Sequence, residues 1–211
     1  MKTIVFPEFS ELRCLMMPYI QGDPDSVPRE YSCYSDIISE TYVEKGEVGY
    51  LTIDESLARA GTPHRGARAK TDRALHTEAG RIPGRIYRWG GGGWGKKHAV
   101  TLDRDVQILL ANNTDSSCAI WNATHEDTSD DGDLGHVAEL YPLESATLMR
   151  AGEVRQIGIL TPHESLPVSK DTRRQFLRIV GSGVHGREPY FTENRLMPGA
   201  ALEAHGWKGR E

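Results

Sequence analysis

The chain has 211 residues, a mass of 23.5 kDa, a formal net charge of −5 and a sequence pI near 5.9. The length favours a single domain, and the acidic balance argues against a nucleic-acid binder, which normally carries a basic patch or stripe. No stretch approaches the roughly 20 apolar residues that cross a bilayer, and Pro7 and Glu8 interrupt the N-terminal apolar segment before a signal-peptide core forms, so we expect a cytoplasmic protein without a membrane partner.

The first part of the chain predicts a cap, and the middle predicts strands. Residues 1–45 are mixed in pattern, with one apolar-periodic stretch at 34–42 that predicts a short helix. From Gly46 onward, short apolar runs are separated by Gly, Asp, Asn and Pro clusters, which is typical of strands. The runs are 48–53, 106–111, 118–121, 146–149, 154–160 and 174–180. We therefore predict a mostly β protein, an antiparallel barrel or jelly roll with a few short flanking helices.

Two segments between these runs predict long loops. Residues 90–95 are glycine-rich and residues 127–133 are acidic and rich in turn formers. The predicted core covers 46–185, and the tail, 186–211, lacks a strong strand pattern. The three cysteines are odd in number and show no CxxC spacing, so we expect thiols rather than disulfides or a zinc site.

The segment His76-Thr77-Glu78, taken with the distant His163, predicts a metal centre. Two imidazoles and one carboxylate form the ligand set that binds iron(II) and leaves coordination positions open for a co-substrate and oxygen. His163 lies 85 residues beyond Glu78, at the end of the apolar run 154–160. The end of a strand is a rigid place for a ligand. We predict that His76, Glu78 and His163 bind iron(II) at the catalytic centre.

Two arginines follow the distal histidine at regular spacing. Arg174 and Arg178 lie 11 and 15 residues beyond His163, in a segment that predicts a strand antiparallel to the strand before it. Because the two arginines differ by four positions, they lie on the same face of that strand. A planar guanidinium binds a carboxylate through two parallel hydrogen bonds, which would offset the cost of placing such a group inside a barrel.

These residues resemble the iron(II)- and 2-oxoglutarate-dependent dioxygenases, particularly the taurine dioxygenase and clavaminate synthase-like group. In that superfamily an HxD or HxE motif is followed by a distal histidine and then by an arginine. The resemblance covers about residues 75–80, 106–121 and 154–180. It implies a double-stranded β-helix, iron(II) on His76, Glu78 and His163, and Arg174 as the anchor for 2-oxoglutarate. It also implies that Arg178 faces the substrate.

The resemblance further implies an oxygenase that couples oxidative decarboxylation of 2-oxoglutarate to C–H oxidation. The expected reaction is hydroxylation of a small polar metabolite such as an amino acid, with molecular oxygen as the second co-substrate. Trp94, in the glycine-rich loop, is a candidate apolar wall for that substrate.

Other interpretations of the same residues stay open. A cupin-like metalloenzyme, such as an oxidative cyclase or an isomerase, would use the barrel and the metal ligands without 2-oxoglutarate. A non-enzymatic barrel that binds a small ligand would need neither. His125-Glu126-Asp127 is a rival ligand set, although it lies in an acidic, turn-rich stretch without flanking strands. His64 and His98 have no partner pattern, and we expect structural or exposed roles for them.

Overall fold

Twelve strands and a few short helices form the part of the chain that the computed structural model describes, which is residues 2–64, 74–77, 79–82, 86–89, 98–101, 106–125, 132–182 and 192–197. The strands are β1 (Arg13–Ile20), β2 (Val48–Ala58), β3 (Leu75–His76), β4 (Ala79–Ile82), β5 (Ile86–Trp89), β6 (His98–Thr101), β7 (Gln107–Asn112), β8 (Cys118–Ile120), β9 (Thr147–Leu148), β10 (Arg155–Gly158), β11 (His163–Ser165) and β12 (Thr172–Val180). The helices are α1 (Ser35–Glu40) and 3₁₀ helices at Pro24–Ser26, Arg29–Tyr34, Gly135–Leu140 and Leu143–Ser145. The predicted mostly β fold is confirmed.

The strands form three antiparallel sheets. A five-stranded sheet has the order β1-β2-β12-β7-β10, a four-stranded sheet has the order β3-β11-β8-β9, and β4, β5 and β6 form a third, smaller sheet. Among the described residues, no helix is long and apolar enough to cross a membrane. The division into a cap, a core and a tail stays a prediction.

The five-stranded sheet is buried on both faces. One face packs against the four-stranded sheet through a core that contains Ile108, Leu110, Ile120 and Phe176. The opposite face is covered by the N-terminal segment and its short helices through a second core. A strand in a sheet that is buried on both faces has apolar residues at successive positions. This explains why the apolar run 106–111 predicted a strand.

Strand β12 contributes to both cores because its side chains alternate between the faces. Phe176 and Val180 face the four-stranded sheet, whereas Leu177 and Ile179 face the N-terminal layer. The sequence predicted a strand here that runs antiparallel to the one before it, and the structure shows that the two are not paired. β12 pairs with β2 and β7, while the preceding β11 belongs to the other sheet, because the chain crosses between the sheets at 166–171.

Strand β1 was not predicted, because a bulge interrupts its alternation. The pairing with β2 shifts register between Cys14 and Met17, and Met16 has a positive φ of 47°. The bulge turns Met16 into the core between the sheets, while Cys14 and Met17 face the N-terminal layer. A bulge inserts one extra residue and so breaks the period of two on which strand prediction depends.

A buried carboxylate ties the N-terminal segment to the five-stranded sheet. Glu55 is 1% exposed and lies opposite Gln175 in the β2–β12 pairing. It accepts hydrogen bonds from the Tyr34 hydroxyl at 2.7 Å, from Gln175 Nε2 at 2.9 Å and from the backbone N–H groups of Ser10 and Leu12 at 2.7 and 3.1 Å. Burial alone would raise the pKa of Glu55, but these hydrogen bonds outweigh burial and hold its pKa below the ordinary value.

We expect Glu55→Gln to lower the free energy of unfolding at pH 7 by about 1–3 kcal/mol, because an NH₂ group, which cannot accept a hydrogen bond, would replace one of the two accepting oxygens. A carboxylate with a lowered folded-state pKa stabilises the protein above its unfolded-state pKa, about 4.3 for Glu. That contribution is lost as the pH falls through the folded-state pKa. The difference between wild type and variant should therefore narrow below about pH 4 in urea-unfolding curves.

Glu47→Gln is the matched control, because Glu47 is exposed. It should leave the free energy of unfolding within about 0.5 kcal/mol of wild type, both at pH 7 and below about pH 4. A Glu55→Gln variant as stable as Glu47→Gln at pH 7 would show that the buried network does not hold the N-terminal layer.

Candidate active site

Two of the predicted metal ligands lie side by side in the four-stranded sheet. His76 ends β3 and His163 begins β11, and the two residues are directly opposite each other in the antiparallel pairing. Their ring centroids are 4.2 Å apart, with the ring planes inclined by 57°. Both side chains are buried, at 4% and 3% exposure. The structure thus brings together two histidines that are 87 residues apart in the sequence.

Both imidazoles are held in the same way by the backbone. His76 Nδ1 lies 2.7 Å from the carbonyl oxygen of Ala74, and His163 Nδ1 lies 2.9 Å from that of Thr161. A carbonyl oxygen only accepts, so each Nδ1 carries a proton, and a neutral ring then presents its lone pair on Nε2. A hydrogen bond from the second ring nitrogen to a carbonyl is the usual support of a metal-binding histidine. The two rings therefore fit a metal centre.

The proposed third ligand, Glu78, lies outside the described residues, as does Trp94. Within the part of the chain that the structure describes, no group of three His, Cys, Asp or Glu side chains is placed to hold a metal ion. The structure therefore shows where His76 and His163 lie, whereas Glu78 as the third ligand stays a prediction.

The neighbouring segment fixes the backbone between His76 and Glu78. Thr77 is fully buried, and its N–H donates to the carbonyl of Gly132 at 2.8 Å. Gly132 has φ of +78°, and a Cβ atom there would lie 2.3 Å from the carbonyl oxygen of Thr77. The next residue, Asp133, forms an isolated antiparallel bridge with His76. The absence of a side chain at Gly132 thus permits this close approach.

Arg174 is buried close to the histidine pair. It is 2% exposed, and it donates from Nη1 to Ser165 Oγ at 2.9 Å and from Nη2 to the carbonyl oxygen of Ser117 at 3.0 Å. Ser165 is the last residue of β11, two positions from His163, so both side chains face the same side of the sheet. Arg174 is therefore bonded to the strand that carries the distal histidine.

One cavity joins these groups. Its lining consists of His64, His76, Leu110, Cys118, His163, Ser165, Arg174 and Phe176. Three residues singled out from the sequence, His76, His163 and Arg174, thus line one space. Arg178 is fully buried on the same face of β12 but is not among the residues that line this cavity.

Sequence reasoning missed His64 and the serine partners of Arg174. His64 has no ligand-type residue beside it in the sequence, and serine, as at 117 and 165, is common in turns and strands. No local pattern therefore marked these three residues. The rival histidine, His125, lies elsewhere: its Nδ1 is 2.6 Å from the Tyr141 hydroxyl, which packs in the core on the far side of the four-stranded sheet. Glu126 and Asp127 of that set lie outside the described residues.

Comparisons with known proteins add little to this geometry. No family model and no curated protein matches the chain. A crystal structure of AviO1 from Streptomyces viridochromogenes Tue57 is similar with a TM-score of 0.43 and 13% identity, covering 89% of this chain and 76% of that one. A similarity at this level defines neither the fold nor the function.

We expect Gly132→Ala to destabilise the protein more than Gly46→Ala. Both glycines have positive φ, so both variants bear a left-handed backbone cost of about 1–2 kcal/mol. Only at position 132 does the added Cβ meet a backbone oxygen, whereas nothing lies within 4 Å of a Cβ at position 46. The extra clash should add about 1–3 kcal/mol of destabilisation in urea unfolding. Equal losses for the two variants would contradict the close packing of Gly132 on Thr77.

Proposed function

We propose that the protein is an iron(II)- and 2-oxoglutarate-dependent oxygenase that oxidises a C–H bond of a small polar metabolite such as an amino acid, most simply by hydroxylation. The observation that carries the proposal is the shared cavity, in which two histidines held through Nδ1 lie close to a buried arginine. The proposal assigns iron(II) to His76, His163 and Glu78, and the co-substrate to Arg174.

The arrangement of the strands supports a double-stranded β-helix for the core. Strands β2, β12, β7 and β10 are consecutive neighbours in one sheet, and β3, β11, β8 and β9 are consecutive neighbours in the other. Along the chain, β2 and β3, β7 and β8, β9 and β10, and β11 and β12 each divide between the two sheets. This alternation is the pattern expected of a jelly roll.

The histidines supply two neutral nitrogen ligands in a rigid frame. Their strands pair with each other, and their rings are oriented by carbonyl oxygens, so little reorganisation is needed on metal binding. Two histidines and a carboxylate leave positions open for a chelating co-substrate and oxygen. Iron(II) and 2-oxoglutarate, when bound, supply the oxidising chemistry, and the chain supplies binding, orientation and the exclusion of water.

Arg174 provides the charge that a dicarboxylate co-substrate requires. Its guanidinium is buried and held by Ser165 and Ser117, so its orientation is set before a ligand arrives. Apolar walls at Leu110 and Phe176 lower the effective dielectric constant around it and so strengthen its attraction for a carboxylate. Arg178 and Trp94 are proposed on the substrate side of the site.

One observation favours a second candidate, a metalloenzyme that does not use 2-oxoglutarate. Both Nη atoms of Arg174 already donate to protein acceptors, which is what a purely structural arginine does. A cupin-like oxidative cyclase or isomerase would keep the two histidines and use Arg174 only to join β12 to the other sheet. The two candidates differ in whether Arg174 contributes to ligand affinity.

Anaerobic titration with iron(II) and then 2-oxoglutarate should produce the visible charge-transfer absorption of the chelate in wild type. In His163→Ala, we expect iron affinity to fall by at least about tenfold, because one of the nitrogen ligands is lost. His136→Ala, which removes an exposed histidine, is the matched control and should behave like wild type. Iron binding without the absorption band would favour the cupin-like enzyme, and no iron binding would favour a small-ligand-binding barrel.

Arg174→Ala separates the cofactor role from the structural role. We expect the dissociation constant for 2-oxoglutarate to rise about 10- to 100-fold, since a hydrogen bond to a charged group contributes about 1.5–3 kcal/mol. Iron affinity should stay unchanged. The neighbouring Arg173→Ala removes an exposed guanidinium of the same charge and should leave both affinities unchanged. Unchanged 2-oxoglutarate affinity in a folded Arg174→Ala variant would contradict the assignment.

A further inference from the structure

His64 lines the cavity that holds the histidine pair and Arg174, although no local pattern in the sequence marks it. Its Nε2 lies 2.5 Å from the hydroxyl oxygen of Ser56. Ser56 lies directly opposite Arg174 in the β2–β12 pairing. Directly opposed residues of an antiparallel pair share a face of the sheet, so Ser56 and Arg174 lie on the same side. The imidazole of His64 thus contacts β2 at Ser56, the residue that lies opposite Arg174.

The segment that carries His64 is fixed to the chain that leads into β12. Gly61 N donates to the carbonyl of Val168 at 2.8 Å, and isolated bridges join Ala60 to Val168 and Pro63 to Pro167. These three main-chain connections hold the loop more firmly than side-chain contacts alone would, because backbone groups have fewer degrees of freedom.

A carboxylate secures the start of the same segment. Asp171 accepts from Ala60 N at 2.9 Å and from Arg59 Nη1 at 2.6 Å. The hydrogen bond from Ala60, followed by the contact with Arg59, holds the pKa of Asp171 below its ordinary value. Asp171 immediately precedes β12, so the loop that presents His64 and the strand that presents Arg174 are connected at their ends.

We propose that His64 is a second binding residue for the distal carboxylate of the 2-oxo acid that Arg174 anchors, and that Ser56 positions its imidazole. The inference rests on the proposed function. The imidazole lines the same cavity as the guanidinium, whose Nη atoms also donate to Ser165 and Ser117. It would add a second, directional hydrogen-bond donor for a carboxylate bound there. The pair would select a 2-oxo acid that has a second carboxylate over one that lacks it.

The test compares ligands that differ only in the distal carboxylate. The iron-loaded protein is titrated anaerobically with 2-oxoglutarate and with 2-oxobutyrate, which chelates a metal in the same way but lacks that group. For His64→Ala, we expect 2-oxoglutarate to bind about tenfold more weakly, while the affinity for 2-oxobutyrate stays within twofold of wild type. His64→Gln, which restores an N–H donor, should recover part of the loss, and Ser56→Ala should lose part of the affinity.

The outcomes separate the two proposals. Failure of 2-oxoglutarate to bind wild type would overturn the proposed function and this inference together. Normal binding to wild type with an affinity within twofold in His64→Ala would overturn only the role of His64. An equal loss for 2-oxoglutarate and 2-oxobutyrate would assign His64 to the packing of the cavity and overturn the inference as well. Thermal unfolding of each variant, with His136→Ala as the control, identifies a loss of folding.

Discussion

The pairing of β3 with β11 is the constraint on which the site depends. It places His76 opposite His163, with rings 4.2 Å apart, and sets Leu75 opposite Glu164 on the other face. Because side chains alternate along a strand, a slip of one residue would turn one histidine away from the other. The segment around Gly132 pairs with the outer edge of β3 and holds this short strand in register. The relative position of the two histidines, which we propose as metal ligands, is thus a consequence of sheet register.

Strand β12 connects that site to the rest of the protein. Arg174 points into the cavity between the sheets, and its neighbour Gln175 points to the N-terminal layer, where it donates to Glu55. Both faces are buried, so the strand cannot twist or shift without breaking polar contacts on one side and apolar contacts on the other. A layer that looks remote from the chemistry therefore holds the arginine in place.

The sequence predicted elements whose pattern is local and missed those whose order depends on tertiary contacts. The apolar runs that became β7 and β12 and the helix α1 were predictable. Strand β11 was not, because its three residues, His163, Glu164 and Ser165, are all polar and are buried only in the folded protein. The pairing of Arg174 with two serines and the approach of His64 depend on residues far apart in the chain. The sequence singled out His76, His163 and Arg174 as candidate site residues. Only the folded structure shows that they line one cavity.

The most direct test of the central claim is a crystal structure of the protein loaded anaerobically with iron(II), with anomalous scattering measured at the iron absorption edge. We predict one strong anomalous peak within bonding distance of Nε2 of both His76 and His163, with the Glu78 carboxylate as the third protein ligand. A peak at His125, or iron bound only at the protein surface, would contradict the account.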